Sequence, residues 1–235
     1  MHKYFMPFLD GFSYAEPTFA GVKKECGDGT CAVMLELVQG ESGVNALDEG
    51  EVRKIEKFCK ERNILLIIDE VQTGNGRTGR LYAYQHYGIA PDIATTAKGL
   101  AGGLPPGATM FFDKTEKTLA AGDHGSTFGG NPVACAGALS ILSRIVDKLL
   151  REEQGKRAYV RSDLGRSRDV LSVSGLGLTI GLEICVNARE AAEKCLSRGL
   201  SVLTAKNKLR LLPPLTIGKG EMDEGLKILN EVLSE

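Results

Sequence analysis

The sequence predicts an α/β fold: a mostly parallel sheet with helices on both faces, followed by a smaller α+β domain. Strand-like runs at residues 32–38, 64–69, 93–97 and 107–112 are joined through helical and glycine-rich stretches. The run from Ile64 to Ile68 is continuously apolar, as a strand covered on both faces must be. Near residue 150 the pattern changes to short strands around glycine pairs and two amphipathic helices. The chain therefore divides into residues 1–150 and residues 151–235.

The opening MHKYFMPFLDG has no helix start, no strand pattern and no secretory h-region. After the first strand, Asp48 is the expected N-cap of a helix carrying Val52, Ile55 and Phe58. Asn131 and Pro132 suit the N-cap and first turn of a long helix with Ala136, Leu139, Leu142 and Val146 on its apolar face. That pattern frays at REEQGK, and a polar stretch is expected as far as Asp169. VLSVSGLGLTIGLEI then reads as a strand pair, with a helix over residues 188–197. Strands over 200–203 and 208–212 and a terminal helix through Met222, Leu226, Leu229 and Leu233 complete the chain.

Composition excludes several function classes. A net charge of −1 gives no footprint for nucleic acid or an anionic membrane, and no apolar run approaches a membrane span. Six cysteines form no CxxC pair, and His2, His86 and His124 are scattered, so no metal site is expected. The cysteines read as buried reduced thiols of a cytoplasmic protein.

Two charged residues stand at strand exits: Asp69 closes LLIID and Lys98 closes DIATTAK. Neighbouring strands lie about 4.8 Å apart, so both side chains can reach one small ligand or one another. The spacing leaves both a buried ion pair and a shared ligand open. Small residues flank Lys98 in TTAKGLAGG, DHGSTFGGNP offers hydroxyls and N–H groups at a helix start, and Gln72 lies three residues past Asp69. A ligand with a basic ring nitrogen, a phenolic oxygen, an aldehyde and a phosphate uses all of them. Pyridoxal phosphate has that set of groups.

The stretches LELVQGESGV, IIDEVQTGNGRTG, YGIAPDIATTAKGLAGGLPPGA, DHGSTFGGNPVACAGAL, SGLGLTIGLEI and LTAKNKLRLLPPL, in this order, resemble the class III (subgroup II) pyridoxal-phosphate aminotransferases of fold type I. HYGIAPDI and LTAKNKLRLLPPL are closer to the acetylornithine branch than to the ornithine δ-aminotransferase branch. The resemblance implies that residues 1–150 are part of the cofactor-binding large domain and residues 151–235 the small domain. It implies that Lys98 holds the cofactor aldehyde as a Schiff base and shuttles the proton. Asp69 would pair with the pyridine nitrogen, Val71 pack on the ring and Gln72 bond the phenolic oxygen, with Glu70 grouped among the cofactor-binding residues. Thr127 would bind phosphate from the neighbouring subunit of a homodimer, and Ser126 lie beside the substrate. Arg210 would grip the substrate α-carboxylate, and Glu41 would neutralise an arginine while an ω-amine enters. The implied reaction moves an amino group from an ω-amino donor such as N-acetylornithine to 2-oxoglutarate.

The chain departs from the family pattern in two places and looks N-terminally truncated. Glu36-Leu37 stands where Glu-Pro is usual, and Pro106 where an aliphatic residue is commoner. HKYFMPFLDGF resembles the stretch just after a family Phe-His-Gly-Arg segment, so the phosphate-cradling loop and the stacking aromatic are expected to lie outside this sequence. Alternatives are ornithine- or succinyl-diaminopimelate-type transamination, or a non-catalytic remnant or split subunit that needs another chain.

Overall fold

The computed structural model describes residues 4–235, so His2 lies outside the described residues. In chain order the first part comprises helix α1 (Phe19–Glu25), strand β1 (Ala32–Leu35), a two-stranded ribbon of β2 (Val38–Gln39) and β3 (Asn45–Ala46), and helix α2 (Glu49–Glu61). Strand β4 (Leu65–Asp69), the single turn α3 (Tyr84–Tyr87), β5 (Ile93–Thr96) and β6 (Ala108–Phe111) follow. The sheet has the order β1-β4-β5-β6, parallel across its first three strands and antiparallel at β6.

Helix α2 forms where Asp48 predicts it. The Asp48 carboxylate accepts the Glu51 N–H at 2.9 Å, and Glu49 and Glu51 in the first turn oppose Lys60 in the last, each favourable to the helix dipole. Val52, Ile55 and Cys59 are buried against Val33 and Leu35 of β1 and Leu66 and Ile68 of β4, and Phe58 packs at the margin. Each such fully buried aliphatic side chain contributes about 1.5–3 kcal/mol. The opposite face of the sheet is more open: Met34 is exposed, and Leu65 and Ile67 are half-buried.

Next come α4 (Pro132–Leu142) and α5 (Asp147–Leu164), then β7 (Val170–Leu176), β8 (Thr179–Ile184), α6 (Ala188–Ser197), β9 (Leu203–Ala205), β10 (Lys208–Leu211) and α7 (Lys219–Leu233). The four strands make an antiparallel sheet in the order β7-β8-β10-β9. Leu178, Ile180, Leu182 and Leu209 of this sheet region pack with Val160 and Leu164 of α5 and with Met222, Leu226, Leu229 and Leu233 of α7 in a second core. The proposed division near residue 150 falls in the first turn of α5.

Several expectations need correction. The polar stretch to Asp169 is mostly helix α5, because its Arg, Glu, Gln and Lys residues are good helix formers whatever their polarity. The strand expected at 200–203 begins at Leu203; Leu200 instead closes α6, its N–H donating to the Cys195 carbonyl at 2.9 Å. Helix α4 starts at Asn131, whose side chain accepts the Val133 and Ala134 N–H groups, but it has no buried residue, and Leu139 is 71% exposed. All six thiols are free, yet Cys31, Cys135 and Cys185 are exposed and Cys26 is half-buried; the expected burial holds for Cys59 and Cys195. Among the described residues no helix is long and apolar enough to cross a membrane.

Replacing Asp48 by Ala leaves the Glu51 N–H without its cap and should cost about 1 kcal/mol of stability. Urea unfolding of the variant, with an unchanged m-value, checks this.

Candidate active site

The parallel register sets the site. Leu35 pairs with Ile68 and Asp69 with Thr95, so Glu36, Asp69 and Lys98 all emerge at the carboxyl ends of adjacent strands. Open α/β sheets bind ligands at that edge. Asp69 Oδ1 accepts the Val71 N–H at 2.9 Å and the Thr95 hydroxyl at 3.2 Å. These two bonds orient the carboxylate through one oxygen and leave Oδ2 to face a ligand. Lys98 is exposed and opens a short 3-10 turn, Lys98–Ala101, with φ at 49°, in the left-handed region that non-glycine residues rarely occupy. Among the described residues the Lys98 side chain makes no hydrogen bond or ion pair, so the direct Asp69–Lys98 pair that the spacing left open is not formed.

The strained turn at Lys98 has a support that sequence reasoning missed. Asn75 is buried, and its Nδ2 donates to Thr96 Oγ1 at 3.0 Å and to the Ala97 carbonyl at 3.1 Å. One side chain thus pins the two residues just before Lys98. The signal was present in TGNGRTG: an Asn between glycines marks a left-handed position, and Asn75 has φ at 57°.

Glu41 and Arg210 meet across the chain. Arg210 is 7% exposed, and its guanidinium donates to Glu41 Oε1 at 2.7 Å. Gln72 Nε2 also approaches Glu41 Oε1 at 3.4 Å. The hydrogen bond from Arg210 holds the Glu41 carboxyl below the usual carboxylate range. A Cβ at Gly40 would meet Gln72 Oε1 at 2.9 Å, so the chain there has to be glycine for Gln72 to keep its place. Glu36, also unforeseen as a site residue, is half-buried and accepts the Gly40 N–H at 3.3 Å. Burial raises its carboxyl above the ordinary range, and the neighbouring Asp69 adds to the rise.

Glu70 does not join the group. It is fully buried; Thr73 Oγ1 donates to one of its oxygens and the Tyr84 N–H to the other at 2.9 Å. Both oxygens are engaged within the loop, where Glu70 holds the turn after β4 in shape. Val71 is half-buried beside the site. Ser126 and Thr127 lie in an exposed loop whose hydrogen bonds among the described residues are internal. Among the described residues no three His, Cys, Asp or Glu side chains cluster as a metal site would need.

Comparison with known proteins places the chain in one family. The aminotransferase class-III family model matches residues 10–233. Acetylornithine aminotransferase of Haemophilus ducreyi is 47% identical over 100% of the chain, and that of Aquifex aeolicus 41% over 99%. The chain spans about 61% of the length of the first and 62% of the second. Among solved structures, N-acetylornithine aminotransferase of Stenotrophomonas maltophilia superposes with a TM-score of 0.88 at 30% identity, over 97% of this chain and 63% of that one. Ornithine δ-aminotransferase of Plasmodium falciparum gives 0.86 at 34% identity, over 97% and 62%.

Asn75→Ala should remove the support of the Lys98 turn and leave buried partners unsatisfied, at a cost of about 1–3 kcal/mol. Urea unfolding gives the cost, and faster reductive methylation at residue 98 than in the parent chain would report the loosened turn.

Proposed function

Because the chain belongs to the class III aminotransferases, we propose that it serves transamination from an ω-amino donor such as N-acetylornithine to 2-oxoglutarate, giving a semialdehyde and glutamate in arginine biosynthesis. The observation that carries this reading is the Glu41–Arg210 pair within reach of Gln72. An α-carboxylate needs a guanidinium, and an ω-ammonium group is repelled by one. A buried arginine whose partner carboxylate is half-exposed offers a neutral surface when paired and a planar cationic fork when Glu41 swings away.

Pyridoxal phosphate is the proposed cofactor. When bound it supplies an electron sink for substrate carbanions. The residues fit it: a strand-end carboxylate keeps one oxygen unspent, and among the described residues the Lys98 side chain has no hydrogen-bond or ion-pair partner. Asp69 would present Oδ2 to the ring nitrogen and keep it protonated. Val71 would pack on the ring, and Gln72 would donate to its phenolic oxygen. Lys98, freed from ion pairing, would hold the aldehyde carbon and carry a proton at Nζ.

A homodimer in a cytoplasmic setting belongs to the same proposal. Phe128 is 81% and Val133 64% exposed, on the loop and helix next to Thr127, and such a patch suits a second copy that would carry Thr127 to the neighbouring site. Ornithine and succinyl-diaminopimelate are the alternative donors. A glutamate-coupled assay with each donor in turn tests the substrate reading; turnover with none of the three would overturn it.

Borohydride reduction of a cofactor-treated sample should fix the label on Lys98 in peptide maps, and labelling spread over surface lysines alone would contradict its role. Arg210→Lys should weaken 2-oxoglutarate binding about tenfold or more, because a bond to a charged group is worth about 1.5–3 kcal/mol. Glu41→Gln should act oppositely, tightening dicarboxylates and weakening the ω-amino donor; calorimetric titration of each ligand separates the two effects.

A further inference from the structure

Glu153 on α5 is fully buried, and neither carboxyl oxygen has a hydrogen-bond partner. Two loops clasp it. A Cβ at Gly79, in the loop after β4, would lie 2.5 Å from Oε2, and one at Gly177, in the β7–β8 turn, would lie 2.3 Å from Oε1. The nearby Leu178 N–H donates to the Arg77 carbonyl at 3.2 Å, and it also lies close enough to Glu153 to favour the charged carboxylate.

The cations around Glu153 are also engaged elsewhere. Arg77 donates to the carbonyls of Leu178 at 3.4 Å and Pro213 at 2.5 Å. Arg157, one turn along α5, donates to the Gly175 carbonyl at 2.9 Å, and Lys156 to that of Leu215 at 2.6 Å. These carbonyls belong to the β7–β8 strands and turn and to the segment after β10. On the other side His86 bonds the Thr78 carbonyl at 2.8 Å, with Arg80 nearby. The arrangement is three cations clamping backbone around one carboxyl that none of them pairs.

We propose that Glu153 is a positioning residue: as the neutral acid it lets the β7–β8 turn dock on the loop after β4, and on ionising it draws Arg77 and Arg157 off their carbonyls and releases that turn. The proton leaves to solvent. Because β8 pairs with β10, with Gly181 opposite Arg210, the docked turn sets where Arg210 stands relative to Asp69. That Arg210 meets a substrate carboxylate rests on the reading above; the docking does not.

Burial raises the Glu153 carboxyl to about 7, with the Leu178 N–H and then Arg157, Arg77 and Lys156 opposing the rise. The folded form therefore holds the proton more tightly than the open form, whose carboxyl has the ordinary value of 4.5. Docking is strongest at low pH, weakens as pH rises from the open-form value, and levels off above the folded one.

The test is amide hydrogen exchange of the full chain over residues 175–181 from about pH 5.5 to about pH 8.5, corrected for intrinsic exchange. Protection should fall about tenfold per pH unit up to near neutrality and then level off. Glu153→Gln, neutral at every pH, should keep the protection throughout. His86 is the other group there that titrates near this range, and a pH dependence unchanged in Glu153→Gln would move the effect to it and overturn the proposal. Should that variant not fold, the parent chain decides alone: protection of the turn that does not vary with pH overturns the proposal.

Discussion

The carboxylate at the end of β4 has to be held, and the way it is held governs the site around it. The Val71 N–H bonds Asp69 Oδ1 two residues back, which bends the chain as soon as the strand ends. That bend sends Glu70 inward, where Thr73 and the Tyr84 N–H satisfy it, and leaves Gln72 reaching Glu41. The same loop then passes Asn75 under the residues before Lys98. The places of Glu70, Gln72 and Asn75 in one loop thus follow from a local hydrogen bond and from β4 having a parallel neighbour on each side. An edge strand would leave Asp69 without Thr95, and the carboxylate would turn to water.

Much of this was legible because it is local. The apolar run into Asp69, the Asp48 cap and the 3–4 spacing of Met222, Leu226, Leu229 and Leu233 each specify an element without reference to anything distant. Helix α5 was not legible, because it buries Glu153, Val160 and Leu164, a stripe too sparse and too polar to show a period. The ribbon of two-residue strands lies below what alternation can reveal. In the site, the roles of Glu41 and Arg210 came from resemblance, and their meeting was visible only once folded, since no spacing argument links residues 169 apart in sequence. The different surroundings of Asp69 and Glu70 were hidden for the converse reason: adjacent carboxylates look alike in a sequence, and the loop that engages one of them is visible only once folded.

The two cores differ in how finished they are. The second core closes on itself, with α5, α6 and α7 supplying buried residues to one sheet. The first is packed on the face that meets α1, α2 and α3, while Met34 and the outer side of α4, with Val133 and Leu139, present apolar surface outward. The link between the two parts is correspondingly mixed. Beside the Glu41–Arg210 pair, with its arginine buried and its carboxylate half-exposed, the join has backbone clamps such as those of Arg77.

The ribbon that carries Glu41 lies against the small sheet. A Cβ at Gly181, opposite Arg210, would meet Val44 at 2.8 Å, and one at Gly175 would meet Val44 at the same distance. Bare glycines on two strands are what let the ribbon lie flat there. Glu41 is therefore cargo of the small sheet, although its strand neighbours in sequence are β1 and α2. Any tilt of that sheet carries Glu41 and Arg210 together and shears the longer 3.4 Å contact to Gln72 first. The fracture line of the site runs between residues 41 and 72, so a mobile small sheet changes how far the carboxylate grip stands from the strand ends while leaving the grip itself assembled.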